Sequence, residues 1–386
     1  MTRRSAAVLL AAGLLAAGCG QGGNESDIQV AASSTPTESS ADGASTVVID
    51  GVPDVVATVA TGLAAPWGID FLPDGSAIVT ERDSARVLRV TAPELSGGTS
   101  EEQGEVVELG RIPETDPQGE AGLLGVAVSP GFASDGLVYF YVCTAKDNRV
   151  VRARLDGDRL GTPEPVLTGI PNGLRHDGGR LAFGPDGYLY VSTGEIGDEQ
   201  LARDRDSLAG KILRITTDGQ PAPGNPFGTL VWSWGHRNVQ GLAFDTDGSL
   251  WASEFGDKTA DELNRILPGE DYGWPAAEGF RGPKRFTAPQ LTWKPEEASP
   301  SGLAYAGGYL WMAALRGERL WRVTVAGGQV SEPTAYFGPT GAGGGTYGRL
   351  RTVVAAPDGR LWLSTSNKDG RGTVGKDDDR ILLVDP

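Results

Sequence analysis

One phrase recurs six times along this chain of 386 residues: an apolar residue, a tight turn closed by glycine, then a strand of aromatic and β-branched residues. The copies read FLPDGSAIVTE from Phe71, SPGFASDGLVYFYV from Ser129, FGPDGYLYVSTGE from Phe183, FDTDGSLWASE from Phe244, YAGGYLWMAAL from Tyr305 and AAPDGRLWLST from Ala355. Their turn glycines fall at 75, 136, 187, 248, 308 and 359, at spacings of 61, 51, 61, 60 and 51 residues. An Asp-Gly pair between apolar runs marks a hairpin, because the turn that matches strand twist needs positive φ. Helical periodicity of any length is absent after residue 47, so the units are sheets. Strand-rich units of this size predict an all-β, six-bladed β-propeller over residues 47–386. A β-solenoid would use much shorter coils, and a sandwich would not repeat. A ring must also close, since an open last blade exposes sheet edges. VVATVATGL, residues 55–63, is therefore expected to complete the blade that ends in DRILLVDP.

The N-terminus has a different character. Residues 1–18 place Arg3 and Arg4 before an apolar run of Ala, Val and Leu too short to span a bilayer, which is the pattern of an export signal. Leu15-Ala16-Ala17-Gly18-Cys19 resembles the bacterial lipobox, which implies lipidation at Cys19 and an exported protein anchored by lipid on the extracytoplasmic face of the membrane. Residues 19–46 are rich in Ser, Thr, Gly and Ala and lack aromatics, so they read as a disordered tether with a reach on the order of 30 Å. With Cys19 lipidated, Cys143 has no partner for a disulfide. The net charge is −16, and it is −14 once the two arginines and the four acids of the signal and tether are removed. Such a surface repels nucleic-acid phosphates and anionic headgroups, so nucleic acid is excluded as a partner and membrane contact is confined to the lipid. An anionic ligand needs a local arginine cluster.

Against that background a few residues stand out. The chain has two histidines, His176 in LRHDGGR and His236 in WGHRN. His176 stands among glycines before a buried strand, either as a turn residue or as a base at the floor of a cavity. Arg349 and Arg351, in YGRLRTV, are two apart in an extended segment and so share a face. Neither Cys nor His clusters as zinc or iron ligands do.

Taken in order, LAAPWGIDFLPDGSAIVTERDSARVLRV, GEAGLLGVAVSPGF, HDGGRLAFGPDGYLYVSTGE, LAGKILRI, GHRNVQGLAFD, DELNRILPGEDYGWP and YGRLRTV resemble the motifs of the soluble quinoprotein glucose/sorbosone dehydrogenases. That family comprises six-bladed propellers and includes aldose sugar dehydrogenases that use pyrroloquinoline quinone (PQQ) and calcium. The resemblance implies that His176 is the base that takes the C1 hydroxyl proton as hydride leaves an aldose, with Asp177 as a substrate or orienting residue. A neutral imidazole suits that task near pH 7. It further implies that Arg237 and Asn238 contact the quinone, Arg237 also stabilising developing charge, and that Arg349 and Arg351 clamp its carboxylates. His236 is read as structural. Calcium is hard and accepts oxygen donors, including carbonyls. The resemblance places one ion at Gly256 and Asp257, beside the cofactor, and a second, structural one at Glu262 and Tyr272.

Three positions depart from the family pattern. Glu120 stands where some relatives carry a glutamine near the quinone, Arg316 where a lysine meets the cofactor, and Arg203 where glutamine is common. Glu120 and Arg316 are still counted as cofactor contacts. The expected activity is oxidation of the C1 hydroxyl of aldoses to lactones, with electrons passed to an acceptor such as a cytochrome or the quinone pool. Two other readings share the fold: a calcium-dependent sugar lactonase, which has no need of the Arg349 and Arg351 pair, and a non-catalytic propeller that binds a glycan or protein at the cell surface.

Overall fold

The computed structural model describes residues 29–30, 51–340 and 344–386. The expected signal segment 1–18, Cys19 and the rest of the expected tether lie outside them, apart from Gln29–Val30, whose backbone pairs antiparallel with Leu291 and Thr292.

Six antiparallel sheets follow one another along the chain and close into a ring. Blade 1 runs from Pro66–Phe71 to Val106–Arg111, blade 2 from Leu123–Val128 to Glu164–Ile170, and blade 3 from Leu181–Phe183 to Val231–Trp234. Blade 4 runs from Val239–Phe244 to Leu291–Trp293, blade 5 from Pro300–Ala306 to Thr334–Tyr336, and blade 6 begins at Leu350–Ala355. The closing strand is the expected one: Asp54–Ala60 pairs antiparallel with Ile381–Asp385, Val55 opposite Val384 and Thr58 opposite Leu382. Among the described residues, two short helices, Phe132–Asp135 and Glu199–Arg203, are the exceptions to an all-β architecture.

All six turn glycines adopt positive φ, between 63° and 89°. At Gly75, Gly187 and Gly359 an added Cβ would meet nothing within 4 Å, so glycine there answers to backbone conformation alone.

Buried apolar side chains gather into six clusters, one between each pair of neighbouring blades. The strand Leu137–Cys143 shows how one sequence feeds two of them. Tyr139, Tyr141 and Cys143 pack toward blade 3, while Val138, Phe140 and Val142 pack toward blade 1, as the two-residue period of a strand requires. That double burial explains the run of apolar residues without alternation, and it leaves Cys143 as a buried free thiol.

The inner strands line the axial channel. Four of them carry glycine at the same level: Gly68, Gly125, Gly241 and Gly302. At each of these a Cβ would come within 2.8 Å of another segment's backbone. Blade 3 carries Arg180 at this level, and its side chain fills the space the glycines leave. The guanidinium lies 4.2 Å over the Trp67 ring, donates through Nε to the Gln240 carbonyl at 2.8 Å, and through Nη2 to Thr352 Oγ1 at 3.2 Å. Arg180 thus ties inner strands of blades 1, 3, 4 and 6 together. It lines a 410 Å³ cavity at one mouth, whereas Trp67, Gln240 and Arg351 face a larger cavity at the other.

Candidate active site

The larger cavity holds about 660 Å³ and is walled by side chains from loops at the ends of the inner strands opposite the Asp-Gly turns. Seven arginines and two carboxylates line it, a local excess of positive charge in an acidic protein.

His176 lines this cavity with its backbone at φ 60°, in the left-handed region. The conformation is held from three sides. Its N–H donates to Glu120 Oε2 at 3.2 Å, its carbonyl accepts from Ile196 N–H at 3.2 Å, and its ring Nδ1 pairs with Glu195 Oε1. A carboxylate on Nδ1 fixes the proton there and leaves Nε2 with its lone pair free when the ring is neutral. Gly194 is obligatory beside it, because a Cβ there would sit 1.8 Å from the His176 carbonyl oxygen. Glu120 also accepts from Arg371 Nη2 at 2.8 Å. Burial raises its carboxyl pKa, but the His176 N–H and the charge of Arg371 outweigh that and hold it below the usual range.

Arg349 and Arg351 line the cavity together, as their spacing predicts. Both are buried and converge on Asp369 Oδ2, Arg349 through Nε and Nη2 at 3.1 and 2.9 Å, Arg351 through Nη2 at 3.3 Å. Burial, before any charge effect, pulls the Arg351 guanidinium down to about 10. Arg237 joins them in the cavity. Its backbone N–H donates to Glu254 Oε1 at 2.6 Å, and its Nη2 reaches Asp257 Oδ1 at 3.2 Å. Asn238 and Arg316 line the same space. The Asn238 side chain is also structural, its Oδ1 accepting the Gly178 N–H at 3.0 Å and so bracing the His176 loop.

Asp177 is placed differently from the expectation of a substrate contact. It is not among the cavity-lining residues, and its buried carboxylate accepts from Asn148 Nδ2 at 2.9 Å and Gly173 N–H at 3.1 Å. Burial pushes its pKa up to about 6. With His176 in the left-handed region, the next side chain turns into the body of the protein. Arg203 is likewise outside the cavity lining, forming a two-pronged ion pair with Asp271 at 2.5 and 2.6 Å. His236 is fully buried between Ser233 Oγ and Glu254 Oε2, each 2.8 Å away, and stacks on Tyr272.

The metal candidates fall around a small void next to Arg237. Gly256, Glu262 and Tyr272 border it together with Glu254 and Glu278, whereas Asp257 does not. The Tyr272 hydroxyl is already used, donating to the Arg265 carbonyl at 2.6 Å and accepting from Leu267 N–H at 3.0 Å. Burial, then the charge of Glu254, pushes Glu262 up to about 8. Among the described residues no three His, Cys, Asp or Glu side chains converge as a metal cluster.

Glu195, Trp67, Gln240 and Asp369 are site residues that the motifs alone did not single out. For Glu195 a signal was present: an acid closes three of the six repeats, at Glu81, Glu195 and Glu254. In all three the acid follows or ends the second strand of its blade. Glu81 binds Arg86, Glu195 holds the histidine, and Glu254 anchors His236 and Arg237.

A carboxylate-backed histidine among guanidiniums, at one mouth of a six-bladed propeller, makes this an enzyme built to act on a ligand held against positive charge. Residues 63–376 match the glucose/sorbosone dehydrogenase family model, and the chain belongs to that family. The structure superposes on the PQQ-bound aldose sugar dehydrogenase of Streptomyces coelicolor with a TM-score of 0.80 and 52% identity, over 86% of this chain and 98% of that one. The soluble aldose sugar dehydrogenase of Escherichia coli, in its apo form, gives a TM-score of 0.73 at 27% identity over 87% and 99%. Quinoprotein glucose dehydrogenase B of Acinetobacter calcoaceticus is 32% identical over 58% of this chain and 52% of its own length.

Proposed function

We propose that the protein is a PQQ- and calcium-dependent dehydrogenase that oxidises the C1 hydroxyl of aldoses to lactones and passes the electrons to a respiratory acceptor, a cytochrome or the quinone pool. One observation carries this reading: Arg237, Arg349 and Arg351 share a single cavity with His176, whose ring Glu195 holds from behind. PQQ is a tricarboxylate, and planar guanidiniums bind carboxylates through paired hydrogen bonds. Two such groups sharing the single carboxylate of Asp369 retain donors for a ligand. Arg237, Asn238, Arg316, Arg349 and Arg351 would hold PQQ, which supplies the hydride acceptor when bound.

The chain's own residues account for the rest. His176 Nε2 takes the hydroxyl proton, and Glu195 stabilises the imidazolium that results. Glu120 and Asn238 keep the left-handed His176 loop in place, and Trp67 walls the cavity. For calcium, the Gly256 backbone and the Glu254, Glu262 and Glu278 carboxylates that border one small void would supply the oxygen donors a hard cation takes. Export and lipid attachment at Cys19, which the composition of residues 1–19 supports, would place the domain near a respiratory membrane.

The test is to titrate the purified protein with PQQ in the presence of Ca²⁺, follow the bound-quinone absorbance, and then assay dye reduction with a panel of aldoses. Saturable quinone binding with aldose-dependent reduction is expected. Absence of both overturns the reading.

A further inference from the structure

Of the seven arginines around the cavity, five have a carboxylate partner: Arg82 with Asp83, Arg237 with Asp257, Arg349 and Arg351 with Asp369, and Arg371 with Glu120. Arg316 and Arg175 have no ion-pair or hydrogen-bond partner among the described residues. Arg316 is already assigned to the cofactor in the reading above. Arg175 is left over, immediately before His176.

Arg175 is solvent-exposed, yet its guanidinium has a definite bed. It lies across Gly197, where an added Cβ would stand 3.0 Å from Nε and 3.3 Å from Nη2. Gly197 belongs to the same turn as Glu195, which holds the His176 ring. One loop of blade 3 thus seats both the base and a neighbouring unpaired cation. None of the Arg175 side-chain N–H groups is taken by a hydrogen-bond or ion-pair partner among the described residues. On a chain of net charge −16, a cation without a carboxylate partner is a specific local feature, set apart from the five paired arginines of this cavity.

We propose that Arg175 selects acidic aldoses: sugars whose C1 hydroxyl meets His176 while a carboxylate or phosphate at the far end of the molecule pairs with the Arg175 guanidinium. This rests on the dehydrogenase reading and sharpens it from aldoses in general to aldoses bearing an anionic group. Consecutive Cα atoms are about 3.8 Å apart, and an extended arginine reaches several ångströms beyond its own, so the two side chains span a separation on the scale of one hexose ring. The rim residue Leu174, 67% exposed, would add an apolar contact to the sugar's carbon face.

The experiment compares kcat/KM of the full chain, loaded with PQQ and Ca²⁺, for glucose, glucuronate and glucose 6-phosphate, with calorimetric binding of each sugar to the quinone-free protein as a second readout. At least one anionic sugar is expected to exceed glucose by about tenfold or more at low ionic strength, in both binding and kcat/KM. Whether it is the uronate or the phosphate identifies the group recognised. Raising the salt concentration should shrink that advantage. Arg175→Ala should cut the anionic-to-neutral ratio by about tenfold, and Arg175→Lys should restore part of it. Turnover of glucose with no preference for either anion overturns the inference and leaves the dehydrogenase standing. An unchanged ratio in Arg175→Ala also overturns it. Bound quinone with no turnover of any sugar overturns the dehydrogenase reading and this inference together.

Discussion

Glu195 pairs with Nδ1 of His176 across nineteen residues of chain, and the pairing decides which ring nitrogen is available to the cavity. The carboxylate comes from the segment just after the strand Leu189–Ser192, whereas the histidine sits in the loop before Leu181–Phe183. Antiparallel pairing of those two strands, Leu181 opposite Val191, brings them together.

That relationship makes Glu195→Gln informative. A neutral amide no longer stabilises the imidazolium, and its NH₂ can face Nδ1 and impose the wrong tautomer. We expect kcat to fall by about 10²-fold or more, with PQQ affinity close to wild type. Stopped-flow reduction of the loaded enzyme by an aldose, alongside a quinone titration, separates the two effects. A kcat within a few-fold of wild type would remove His176 as the base.

Arg349 and Arg351 converge on Asp369 Oδ2, and this shared anchor sets their orientation. Replacing either with alanine is expected to raise the Kd for PQQ by about 10- to 100-fold, the cost of losing a charge-assisted bond. The double variant should fall short of the product of the two, because the arginines share the Asp369 anchor and removing one already disturbs the other. Equilibrium titration of quinone absorbance gives all four constants. Wild-type affinity in both single variants would place the cofactor elsewhere.

The ring of blades was legible because its signal is local and repeated. Gly75, Gly187 and Gly359 announce hairpins through backbone conformation alone, and their spacing gives the blade count. The arginine pair was legible too, since alternation in a strand is fixed by geometry. Glu195 was harder to read because its role depends on a partner in another strand, and the equivalent Glu81 and Glu254 serve other ends. Asp177 shows the converse. Adjacency to His176 in sequence suggested adjacency in the site, but a left-handed residue sends the following side chain behind the loop, to Asn148. Arg180 carried no signal beyond an arginine in an apolar strand, and its place only makes sense once four glycines of other blades empty the channel at its level.

Asp70 links two blades, accepting the N–H of Val128 at 2.7 Å through Oδ2 and its neighbour Phe71's N–H at 2.9 Å through Oδ1. Burial pushes its pKa from 3.8 up to about 6, against the pull of both N–H groups. The folded state therefore keeps this proton where the unfolded chain has lost it. By linkage, the stability it contributes is full below about pH 4 and is lost as pH rises through about 6. Asp70→Asn, which cannot ionise, lacks this slope. Its stability relative to wild type is expected to rise between pH 4 and 7, by at most on the order of 3 kcal/mol. Urea denaturation at several pH values measures the difference, and a pH-independent gap would contradict the raised pKa.

Lys211 is fully buried at the start of the strand Lys211–Ile215, where its ammonium donates to the carbonyls of Leu201, Ala202 and Ala209 at 2.8, 3.3 and 2.6 Å. Two of those carbonyls belong to the short helix Glu199–Arg203, whose end has few other partners for them. The side chain thus pins the loop that begins at Glu195 back onto its own blade. Lys211→Met keeps the aliphatic bulk and removes all three bonds, leaving buried acceptors unpaired at a cost of about 2 to 4 kcal/mol. A Tm lower by several degrees is expected. Lys211→Arg should not rescue it, because a planar guanidinium is larger than the closed space between those carbonyls. Differential scanning calorimetry of the three proteins decides the matter: a methionine variant as stable as wild type would mean that the carbonyls find other donors and that Lys211 does not hold the loop.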